Sequence, residues 1–131
     1  MADAKTPDYL DLIGIPFAYG GRGPDTFDCY GLVRELYRRA GQPIPDYRSP
    51  TDLAVIAAMM ACEVQLWREV PAPRAGAVAL IRVGRHASHV GYCLDDMRMI
   101  HTWERTGGVV IERLDTWKRH IIGFFEYVGH V

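Results

Sequence analysis

Three side chains carry the chemistry this sequence offers: Cys29, His89 and His101. A thiolate can attack a carbonyl carbon, an imidazole can move the proton, and a further polar group can hold the imidazole in place. Cys29 lies in PFAYGGRGPDTFDCYGLVRELYRRAG, where a glycine-rich loop runs into an amphipathic pattern. Leu32, Val33, Leu36, Tyr37 and Ala40 recur at helical spacing. Asp28 suits the N-cap, Gly41 the left-handed position past the end, and Pro43 and Pro45 forbid continuation. Cys29 is thereby placed in the first turn, where unpaired N–H groups and the helix dipole favour a thiolate. The same N–H groups suit an oxyanion formed by its attack. A free cysteine is more often a small buried hydrophobe, which is the reading for Cys62 and Cys93.

His89 opens the strand-like HVGYCL and His101 closes RMIHTW, with Asp95-Asp96 as the turn between them. A hairpin there brings both rings within cross-strand reach. Because strand side chains alternate, the rings share a face only if the loop has an odd number of residues or a bulge intervenes. The expectation is a shared face on the sulfur side of the sheet. His89 then exchanges a proton with Cys29, and His101 holds the second ring nitrogen. His86, His120 and His130 read as solvent-facing polar residues. His86, His89, Cys93 and His101 also suggest a ligand set, but H-x-x-H-x-x-x-C matches no standard zinc spacing, so no metal or other cofactor is expected. Gly20, Gly21 and Gly23 lack the Lys-Ser or Lys-Thr of a phosphate loop.

The elements that must position these groups follow from pattern and composition. At 131 residues the chain is expected to be one domain spanning 1–131, and with 49% hydrophobic residues it can bury a core without disulfides or metal. A short helix from Thr6-Pro7 through Leu12 closes at Gly14, and Thr51 caps a second amphipathic helix with Leu53, Val55, Ile56, Met59 and Met60. Strand-like runs follow: Val64 to Val70, Ala77 to Val83, His89 to Leu94, Arg98 to Trp103, Val109 to Arg113 and Ile121 to Val128. Helices first and strands after, joined by short connections, predict an α+β domain with N-terminal helices on an antiparallel sheet of five to six strands.

A net charge of −1 gives no polyanion footprint, so nucleic acid is not an expected partner. No apolar run is long enough to cross a bilayer, and the acidic start MADAKTPDYLDLIG is not a signal peptide, which predicts a chain made in the cytoplasm. Of fifteen basic residues only Lys5 and Lys118 are lysines. Arg22, in the loop before Cys29, and Arg85, in the loop before His89, are expected to flank the cleft and clamp substrate carboxylates.

GIPFAYGGRGPDTFDCYGLVRELYRRAGQPIPDY followed by HVGYCLDDMRMIHTWE resembles the NlpC-type cysteine peptidases of bacterial cell walls, a branch of the papain-like superfamily. The resemblance covers most of the chain. It implies a papain-like fold, Cys29 as nucleophile, His89 as base, His101 as third member, and a peptide-stem bond of peptidoglycan as substrate. Tyr30 after the cysteine, with IPDY and the compact length, resembles members encoded in phage tail modules and prophages, which implies tail-tip proteins as partners. The family's tyrosine twelve residues before the cysteine is Phe17 here, so the hydroxyl facing the site is absent unless Tyr19 supplies it. The usual Gly-Asp before the core strand is Gly76-Ala77. A non-catalytic tail component of the same fold and a cysteine acyltransferase are the rival readings.

Overall fold

The computed structural model describes residues 7–46, 66–84 and 86–129. The helix expected from Thr51, together with Cys62 and Arg85, lies outside them. Among the described residues one α-helix, α1 (Cys29–Arg39), precedes six strands: β1 (Trp67–Val70), β2 (Val78–Val83), β3 (His86–Cys93), β4 (Arg98–Thr102), β5 (Val109–Arg113) and β6 (Ile121–Tyr127). The strands form one sheet in the order β1-β6-β2-β3-β4-β5, antiparallel throughout. The N-terminal helical segment is shorter than its pattern suggests, a 3₁₀ turn over Leu10–Leu12. Among the described residues no helix is long and apolar enough to cross a membrane.

The two faces of the sheet are buried differently. Val78, Leu80, Val90, Tyr92 and Ile100 pack with Leu32, Val33, Leu36 and Tyr37 of α1. Ala77, Ala79, Ile81, Cys93 and Met99 lie in a second cluster with Val70 and Leu114, and Trp117 packs against it. Burial on both sides explains why VALI in β2 is a continuous apolar run rather than an alternation. Each fully buried Leu or Val on the α1 stripe contributes about 1.5–3 kcal/mol of transfer free energy. Tyr37 adds direction to this packing. Its hydroxyl donates to the Gly76 carbonyl at 2.6 Å, and its ring meets Trp67, Tyr92 and Tyr127 edge-on. Ala77 is fully buried, so the carboxylate usual in the resembling family would lack solvent there.

Candidate active site

The loop before α1 is fixed by Asp28. As N-cap it accepts from Gly31 N at 2.6 Å through Oδ1, and its Oδ2 accepts from Gly20 N at 3.1 Å. The first turn lies so close to the loop that a Cβ on Gly31 would stand 2.0 Å from the Gly21 carbonyl oxygen. Glycine is therefore required at 31 by close approach rather than by φ. Past the helix, Gly41 takes φ +84 as expected of a residue after the C-cap. Cys29 is the first residue of α1 and is 4% exposed.

Arg22 does something other than wait for a substrate carboxylate. Its Nη1 donates to Asp28 Oδ1 at 2.7 Å and its Nε to Asp46 Oδ1 at 2.8 Å. The guanidinium braces the cap that presents Cys29, because two carboxylates on either side of it offer better partners than solvent. Burial opposes its charge, but hydrogen bonds to Asp46 and Asp28 outweigh that and raise its pKa. Phe17 packs edge-on against Tyr19 at 5.0 Å. Tyr19 is 72% exposed, and its hydroxyl donates to Glu104 Oε1 at 2.7 Å. That hydrogen bond raises the Tyr19 pKa, with desolvation and the charges of Glu104 and Cys29 adding to it. Tyr19 thus stands within electrostatic reach of Cys29, with its hydroxyl committed to the loop after β4.

His89 and His101 meet directly, with His89 Nε2 2.7 Å from His101 Nδ1. Pairing of Tyr92 with Ile100 and Cys93 with Met99 leaves the odd loop that a shared face demands. Asp95 closes it by accepting from Met97 N and Arg98 N, both at 2.8 Å. The shared face is not the one that buries the α1 stripe. Val90, Tyr92 and Ile100 occupy that side, so alternation turns both rings toward the side of Cys93 and Met99. A Cβ added at Gly91 would meet Met99 Sδ and His101 Cβ, which marks the same face. Both rings thus lie on the sheet face opposite the α1 stripe.

Aromatic rings enclose the pair. Trp103 lies 5.7 Å from the His89 ring centroid and Trp117 lies 5.3 Å from that of His101. Exclusion of water disfavours the imidazolium, so burial lowers the pKa of His89, helped by repulsion from His101. Burial also lowers His101, against the opposing effect of its Glu112 contact. His89 Nδ1 is buried with no hydrogen-bond partner. On the far side, His101 Nε2 lies 2.6 Å from Glu112 Oε1, and Trp117 Nε1 donates to the same oxygen at 2.9 Å.

Sequence reasoning missed Glu112, Trp103 and Trp117. A signal existed for Glu112, the one charge inside VVIE, on the strand face of Val110, which pairs with His101. Among the described residues no group of His, Cys, Asp and Glu could hold a metal ion.

The NlpC/P60 family pattern matches residues 14–126. The probable endopeptidase p60 of Listeria monocytogenes is 25% identical over 119 residues, which cover 86% of this chain and 21% of that protein. The chain thus spans about a fifth of the length of the curated relatives it matches. An NlpC/P60 family protein from Bacillus cereus aligns with TM-score 0.68 at 21% identity, over 97% of this chain and 42% of that one. The NlpC/p60 domain of the peptidoglycan hydrolase SagA aligns with TM-score 0.60 at 21% identity, over 88% of this chain and 89% of that one. Helix-on-sheet architecture and these likenesses make the fold α+β and papain-like. With 14–126 matched, the chain belongs to the NlpC/P60 family.

Proposed function

We propose that this chain is a cysteine hydrolase that cleaves an amide bond in the peptide stems of peptidoglycan. The observation that carries the reading is the buried His89–His101 pair with an unpartnered His89 Nδ1, on strands against which a helix beginning at Cys29 packs. Substrate class is supported by family membership and by the relatives' names, endopeptidase and peptidoglycan hydrolase.

In this mechanism His89 Nδ1 takes the Cys29 proton as sulfur attacks the carbonyl, because burial keeps the resting imidazole neutral. The C–S bond forms, the carbonyl π pair moves to oxygen, and backbone N–H groups at the start of α1 stabilise the oxyanion. Collapse breaks the C–N bond, His89 returns the proton to the leaving amine, and water attacks the thioester with His89 again as base. His101 orients His89 throughout. Tyr19 and Phe17 line the approach beside Cys29. Arg85 remains a proposed carboxylate contact, whereas Arg22 acts through the cap.

Incubating the purified chain with peptidoglycan fragments and weighing the products tests this. A fragment pair that gains one water supports hydrolysis, and a cross-linked product marks acyl transfer. No product from the wild type under conditions where a related hydrolase cuts would favour the non-catalytic reading. The resemblance of DCYGLV to tail-encoded members supports a further proposal, that the chain is made in the cytoplasm and carried by a phage tail tip. Its absence from purified tails and tail intermediates would remove that proposal.

A further inference from the structure

Hydrogen-bond donors run in one direction along the histidine pair. Trp117 Nε1–H has no acceptor capacity, so Glu112 Oε1 is an acceptor at 2.9 Å. The same oxygen lies 2.6 Å from His101 Nε2, and because a carboxylate has only acceptors to offer, that nitrogen carries the hydrogen. In the neutral ring this makes His101 Nδ1 a lone pair, and it faces His89 Nε2 at 2.7 Å. His89 Nε2 then carries the hydrogen, and His89 Nδ1 is left bare. It is this atom that is buried without a partner.

We propose that Glu112, steadied by Trp117, is a positioning residue that sets the tautomer of both histidines and so presents the His89 Nδ1 lone pair for proton transfer. The catalytic consequence rests on the Cys29–His89–His101 reading; the ring states do not. The register supplies the placement. Glu112 pairs with Met99 and Val110 with His101, so the carboxylate reaches the ring diagonally across one face. It also spans two environments, since the His101 side chain is fully buried while that of Glu112 is 36% exposed. A carboxylate at the rim keeps contact with water and still anchors a ring that has none.

The test is the ring protonation pattern of the ¹⁵N-labelled full chain near pH 7.5, read by long-range ¹H–¹⁵N correlation, beside kinetics on peptidoglycan fragments. Both wild-type rings should be protonated at Nε2 and bare at Nδ1. In Glu112→Ala, His101 should become a tautomer mixture, kcat should fall on the order of 10- to 100-fold, and KM should move less than about twofold. Glu112→Gln, whose carbonyl still accepts, should keep the pattern and recover most of kcat. Arg38→Ala, which breaks an exposed pair with Glu35 on α1, should change neither. A wild-type His89 protonated at Nδ1, or a folded Glu112→Ala with unchanged rings, overturns the proposal, and the wild-type spectrum decides even if that variant does not fold. If Cys29→Ala remains active while the rings respond as stated, the catalytic reading falls and the positioning role stands.

Discussion

The nucleophile and the base are held by opposite means. Cys29 is presented by its immediate sequence neighbours: glycines in close contact, a capping carboxylate and an arginine on that cap. His89 is presented by side chains from three elements, with His101 on β4, Glu112 on β5 and Trp117 in the turn after it. The first arrangement is local and fails through folding. The second is non-local and fails through misplacement of a proton. Substitutions on the two sides should therefore separate activity from stability.

The largest expected effect lies at the pair. His89→Ala should lower kcat/KM by about 10³-fold or more, as removal of a base does, and Cys29→Ala should leave no thioester-dependent turnover. His101→Ala should retain a remnant because it only orients. Equal residual activity in His89→Ala and His101→Ala would remove the distinction between base and orienter. On the cap side, Gly31→Ala should destabilise the fold by about 3 kcal/mol, since backbone must move to relieve a 2.0 Å approach. Asp28→Ala should cost about 1–2 kcal/mol. Denaturant midpoints check both, and a Gly31→Ala midpoint matching wild type would mean the loop yields freely.

The same contrast decides what the sequence discloses. Cap, glycine and stop signals lie a few residues apart, so α1 and the place of Cys29 could be read to the residue. Strand patterns located all six strands to within a few residues, because VALI and HVGYCL are apolar enough to stand out. Parity placed His89 and His101 on one face, but which face depends on the apolar claims of Val90, Tyr92 and Ile100 to the helix side. Glu112 depends on a strand order and register that no local pattern encodes. Arg22 was legible as a charge near the cleft and illegible as a brace, since Asp46 lies 24 residues away.

Acid should weaken the pair's side of the molecule. His89 is held neutral by burial, while the unfolded chain takes up a proton near the ordinary value of 6.5. Below about 6.5 the unfolded state thus binds more protons, and stability falls with pH by about 1.4 kcal/mol per unit for one such histidine. His101, lowered in the same direction, adds to the slope. Urea unfolding at pH 7, 6 and 5 should show a shallower loss for His89→Gln than for wild type. Parallel slopes would mean that the pair is not neutral in the folded protein.

Thiol reactivity gives the smallest perturbation and tests the nucleophile's side alone. Cys29 and Cys93 are both buried and in no disulfide, so burial by itself predicts similar inertness. Their surroundings differ. The Cys93 thiol is pushed up to about 12 by burial, with repulsion from Asp95 adding to it, and no helix terminus offsets this. Cys29 lies at the positive end of α1, in a first turn that contains no acidic residue. Brief iodoacetamide treatment of the folded chain at neutral pH should therefore modify Cys29 and spare Cys93, as located by peptide mass. Arg22→Ala should slow the reaction, because loosening Asp28 loosens the turn whose N–H groups favour the thiolate. Were Cys93 to label first, or Cys29 to react no faster than in unfolded protein with Arg22 intact, the helix terminus would not be activating the sulfur, and the contrast between the two sides would reduce to packing.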